Sequence, residues 1–200
     1  MFTKLFGSNP KTEFWKWFTK HQEELFHFEK NQDSLFTQLS LKLKSVNENL
    51  VFEFGPIRND RREFCISADG LKDAFPAVID LVEKAPDLPS WEFYAFRQRV
   101  PGDIIKIKMG DVDLGYDDIY FRYGEDEDGE KMGIELNIRN YDSEKKTTKN
   151  AAFILLDGLI GEYDMETRIS WIDFVKLEEE NIEKLFPLIE LRNLVDLLKV

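Results

Sequence analysis

Four charged residues at alternate positions, Glu162, Asp164, Glu166 and Arg168, are the part of this chain whose types and spacing best suit chemistry. With Tyr163, Met165, Thr167, Ile169 and Trp171 between and beyond them, the stretch reads as a strand with an acidic open side and a buried aromatic side. Successive carboxylates on such a face stand about 7 Å apart, because a strand rises about 3.3 Å per residue. That separation suits a divalent cation with bridging water, or an acid and a base flanking a substrate. The plainer account is a solvated strand face with a local Glu–Arg pair of little energetic value.

Asp157 is the second candidate, a buried charge. It lies among Ile154, Leu155, Leu156 and Ile160, where an unpaired carboxylate is costly. Two accounts stand: it points to a wet helix edge, or it meets an arginine such as Arg97, Arg99 or Arg168.

The third candidate is a run of docking acids: Asp111, Asp113, Asp117, Asp118, Glu125, Asp126, Glu127 and Asp128. Residues 111–130 hold nine acids and one base, a net of −8 out of the chain's −12. They form no EF-hand, since the glycine of Asp111-x-Asp113-x-Gly115 comes one place early and Arg122 occupies the closing position. A solvated hairpin tip explains them simply, and a docking site for a cationic partner is the functional alternative.

Other chemistry is disfavoured. His21 and His27 are six residues apart and fall on different helix faces, and Cys65 has no second cysteine. No phosphate-cradling glycine loop and no nucleophile elbow occurs. The expectation is therefore no metal and no cofactor. Asp+Glu 39 against Lys+Arg 27 repels phosphate backbones and anionic lipid, so nucleic acid and membrane are not expected partners. No window reaches the ~18 apolar residues of a membrane span, and the first residues lack a leader's apolar segment, so a cytoplasmic location is expected.

The elements that must position these groups follow from periodicity. Helices are expected after Asn9-Pro10 and after Asp33, with a strand pair over 50–54 and 63–68 and a loop opening at Gly55-Pro56. A third helix follows Asp69-Gly70. Trp91 to Val100 reads as one long strand, and further strands cover 104–109, 112–114, 119–123 and 132–138. Residues 151–160 are nearly all apolar and predict a buried helix that Gly161 ends. A terminal helix covers 187–199. No sequence repeat is visible. The expected fold is a single α+β domain over 1–200: an N-terminal helical layer (1–48), an antiparallel sheet of about six strands with inserted helices (50–175), and a C-terminal helix (187–199).

The stretches FWKWF (14–18), FEFGP (52–56), AFPAV (74–78), AFRQR (95–99) and LLDGLIGEYDMET (155–167) resemble an uncharacterised family of small acidic bacterial proteins, over nearly the whole chain. The resemblance implies one α+β domain in a bacterial cell and carries over no activity, cofactor or catalytic residue. Three functions are therefore expected in turn: a non-catalytic acidic module binding a basic protein partner, an enzyme with a carboxylate site at 162–168, or a homo-oligomer joined through Trp15 and the terminal helix.

Overall fold

The computed structural model describes residues 9–126 and 129–198 and is α+β. The chain divides into two compact units, the first ending at Phe96 and the second beginning at Arg97. Each unit has its own hydrophobic core.

The first unit opens with α1 (Pro10–Phe26), capped by the Asn9 side chain on the Lys11 amide, and α2 (Gln32–Lys44). A three-stranded sheet follows, from β1 (Val51–Arg58), β2 (Arg61–Ser67) and β3 (Trp91–Ala95), with α3 (Phe75–Val82) between β2 and β3. β1 and β2 are antiparallel; β2 and β3 are parallel. Gly55-Pro56 does not open a loop but lies inside β1 at a register shift, and the turn falls at Asn59-Asp60, both at positive φ. Asn and Asp accept that conformation at low cost and so close a tight hairpin. β3 stops at Ala95 rather than Val100 because Phe96 takes φ +67, which an extended strand cannot continue through. From α1, Trp15 packs edge-on against Phe93 and Phe18 edge-on against Trp91 and Phe93 and tilted against Phe64, while Phe14 meets Trp15 edge-on. Trp15 is thus core, not an exposed contact for a second copy.

The second unit begins with a separate hairpin, β4 (Lys106–Met109) and β5 (Val112–Gly115). Its main sheet holds β6 (Ile119–Glu125), β7 (Met132–Ile138), β8 (Ile169–Lys176) and the two-residue β9 (Phe186–Pro187), in the order β8-β7-β6-β9. β6 and β7 form an antiparallel hairpin, and β8 runs parallel to β7 after a helical crossover. That crossover is α4 (Lys146–Ile160) and α5 (Glu162–Arg168); α6 (Leu191–Leu197) closes the unit. Leu155, Leu156 and Leu159 of α4 bury against Phe121, Ile134, Leu136 and Ile138, while Phe153 and Ile154 stay exposed.

Among the described residues, three sheets of three, two and four strands replace the expected single sheet of about six. The strands are divided between two hydrophobic cores, one in each unit, so no single sheet gathers them. Each unit carries the same path: a hairpin, a helical crossover, and a third strand parallel to the second. This repeat lives in topology and not in sequence.

Candidate functional site

The acids expected on a strand lie on a helix. Gly161 takes φ +83 and ψ 151, a region essentially reserved for glycine, and the chain turns at once from α4 into the seven residues of α5. β8 begins only at Ile169. The burial is also reversed: Glu162 is 1% exposed and Asp164 9%, while Tyr163 is 43% exposed. The alternation that suggested a strand arises because two turns of helix bury their acids and release their aromatic ring.

Buried carboxylates need partners, and the strap after Phe96 supplies them. The Arg97 backbone amide donates to Glu162 Oε2 at 3.1 Å, and the Glu162 amide returns a bond to the Arg97 carbonyl at 3.1 Å. Arg97 Nε donates to Asp157 Oδ2 at 2.6 Å, so half-buried Asp157 is held by an arginine. Arg99 donates from Nη2 to Asp164 Oδ2 at 3.0 Å, from both Nη atoms to Asp196 at 2.8 and 3.0 Å, and from Nε to the Ile160 carbonyl at 3.0 Å. The Asp196 hydrogen bonds, with those of Asp164, hold the Arg99 guanidinium above its ordinary basicity despite its partial burial. Among the described residues, the Arg168 Nε is buried without a hydrogen-bond partner. The arrangement locks a strap onto α4, α5 and α6. The acidic face expected on a strand is therefore carried by a helix, with Glu162 and Asp164 turned inward.

The docking acids behave differently. Asp111, Asp113 and Asp118 come together on one cleft of about 360 Å³, joined by Asp142, with Arg139 and Lys145 among its lining. Three segments build it: the β4–β5 hairpin, the turn before β6, and the loop leading to α4. Lys145 pairs with Asp111 and holds its carboxyl below the usual aspartate range. Arg139 reaches Asp118 at 3.4 Å and also pairs with Glu179. Four carboxylates against two cations leave the cleft acidic. Asp117 lies outside it, 3.8 Å from Lys106, and Asp126 closes the β6–β7 turn by accepting from the Lys131 amide at 3.1 Å. Glu125 ends β6, and Glu127 and Asp128 lie outside the described residues.

Asp142, Arg139 and Lys145 carried no signal in the sequence, where they sit in an ordinary polar loop. Arg97 and Arg99 were visible as two of three arginines able to answer Asp157, with nothing to single them out as partners of Glu162 and Asp164. Among the described residues, no group of three or more His, Cys, Asp or Glu is placed to hold a metal ion, and no helix is long and apolar enough to cross a membrane. His21 takes its Nδ1 bond on its own helix, 2.9 Å from the Trp17 carbonyl.

No protein-family model, no curated protein and no solved structure matches the chain.

Proposed function

We propose that the protein is a non-catalytic interaction module of the cytoplasm that takes a cationic segment of a protein partner into the Asp111–Asp113–Asp118–Asp142 cleft. That those four carboxylates, from three segments, line one cleft is the observation that carries the reading. A lysine or arginine of the partner would compete with Lys145 and Arg139 for the cleft carboxylates, exchanging one ion pair for another. The surplus negative charge of the whole chain adds long-range attraction for a basic surface and repels phosphate backbones.

The carboxylate-enzyme reading has lost its geometry, because its two central acids are buried against Arg97 and Arg99. A self-interface through Trp15 has lost its anchor to the core, although Leu197 of α6 remains exposed.

The test uses the full chain and a hexa-arginine peptide, titrated calorimetrically at low and at high salt. Binding should weaken steeply with salt and fall about tenfold in an Asp113→Asn, Asp118→Asn double variant, as expected for the loss of two favourable charges. Binding that ignores both salt and this double variant would refute the cleft as the contact.

A further inference from the structure

The opposite face of the second unit's sheet carries a different set of groups. Along β7, Met132, Ile134, Leu136 and Ile138 point into the core, which leaves Gly133, Glu135 and Asn137 on the other side. Strand register sets three rows across this open face. Gly124, Gly133 and Trp171 form the first; Arg122, Glu135 and Asp173 the second; Tyr120, Asn137 and Val175 the third.

Trp171 is 49% exposed and is the largest side chain of the face. Its indole lies over Gly133: a Cβ there would stand 1.8 Å from Cε2, 2.0 Å from Nε1 and 2.3 Å from Cζ2. A point so close to one ring atom and nearly equidistant from its two bonded neighbours lies above the ring, so the indole rests its face on the strand backbone. Beyond it Gly124 leaves open space, since a Cβ there would meet nothing within 4 Å. A flat ring is thereby fixed on one side and half exposed, and among the described residues no hydrogen bond is drawn from its N–H.

The neighbouring rows are planar, polar and already oriented. Arg122 Nη2 donates to Glu135 Oε2 at 2.8 Å, and Asn137 Nδ2 donates to Glu135 Oε1 at 3.2 Å. With its amide nitrogen turned to Glu135, the 9%-exposed Asn137 has a side-chain oxygen that receives no donor among the described residues. A carboxylate has about four lone-pair sites, so Glu135 keeps acceptor capacity as well. These three residues, with Val175, Lys176, Glu178 and Lys184, line a cavity of about 440 Å³, within the range of small-ligand sites; Trp171 stands outside it, further along the same face.

We propose that this face binds a neutral sugar, stacked on Trp171 and hydrogen-bonded to the Arg122–Glu135–Asn137 row. The C–H bonds of a pyranose carry slight positive charge and meet the negative face of an indole, while its hydroxyls each donate and accept. Fixed carboxylate, amide and guanidinium groups match that mixed demand. Charge separates this ligand from its main rival, a stacked nucleotide: across the face and its cavity Arg122, Lys176 and Lys184 are matched by Glu135, Glu178 and Asp173, so a phosphate finds no net positive charge there. From Gly133 to Asn137 is about 13 Å along the strand, a reach that suits a short oligosaccharide.

The full chain is titrated with maltotriose, cellotriose, mannotriose and tri-N-acetylchitotriose, following tryptophan fluorescence and heat. At least one should bind and shift the emission, and Trp171→Ala should weaken it about tenfold. Trp171→Phe should retain part of the affinity, with thermal unfolding near wild type showing that the fold is intact. Gly133→Ala, whose methyl would lift the ring, should weaken binding with the indole still present. The proposal is overturned if none of the four binds at millimolar concentration, if Trp171→Ala binds as well as wild type, or if oligo-uridylate binds this face instead.

Discussion

Replacing Arg99 with methionine keeps most of the stem's apolar volume and deletes the guanidinium that joins α4, α5 and α6. Removing one partner of a fully buried pair costs about 3–5 kcal/mol, because the remaining charge stays desolvated. Asp164 is close to that limit, with a side chain 12% exposed, but Arg99 is 26% exposed and water softens the loss. The expected cost is about 2–3 kcal/mol, which for a unit of about a hundred residues lowers Tm by roughly 10–20 °C. Asp196→Asn removes the better-bonded but half-exposed partner and should cost less than about 1 kcal/mol. The double variant Arg99→Met, Asp164→Leu should recover much of the loss, since an apolar pair often substitutes for a buried ionic one. Urea titrations read by hydrogen exchange of peptides from 146–168 report this unit specifically. An Arg99→Met chain within about 0.5 kcal/mol of wild type, or one no worse than Asp196→Asn, would show that burial does not set these energies.

Gly161→Ala forces φ +83, ψ 151 on a residue with a Cβ and should destabilise by about 1–3 kcal/mol, seen as a lower urea midpoint. Arg62 is 6% exposed, stacks 4.2 Å from the Phe28 ring and donates to Glu29 and to the Phe26 carbonyl that ends α1. Arg62→Lys loses the planar fork and should cost about 2–3 kcal/mol in the first unit, measured by exchange of peptides from 10–44. The Arg122 hydrogen bond holds the Glu135 carboxyl below its ordinary value of 4.5, so the ionised form is favoured on folding. Its contribution is fully present above pH 4.5 and is lost as pH falls through the lower folded value. Acid unfolding of Glu135→Gln should therefore show a shallower pH dependence below 4.5 than wild type, and an identical slope would refute the coupling.

Much of the secondary structure was legible because single residues enforce it locally. Asn9-Pro10 starts α1 and Gly161 ends α4 wherever the rest of the chain goes. The errors share a cause. The 162–168 stretch was misread because alternation reports which residues differ from their neighbours, not which side is buried, and the usual rule puts acids in water. Here Arg97 and Arg99, some sixty residues away, reverse that rule. The β1–β2 turn was misplaced because Gly-Pro also serves as a bulge, and only the pairing of Phe54 with Phe64 and Ile57 with Arg62 distinguishes the two uses.

Composition and period alone determined an α+β chain rich enough in apolar residues for a proper core, its helices and strands largely in place, and an acid-dense stretch at 111–130. Only the tertiary structure decided that two cores form rather than one, that Glu162 and Asp164 are buried under arginines, and that Asp142 joins Asp111, Asp113 and Asp118 at one cleft. The physical reason is the range of the forces involved. Turn preference and hydrophobic period act over a few residues and are written in the local string, whereas the partner of a buried charge is chosen by chain paths that meet only after folding.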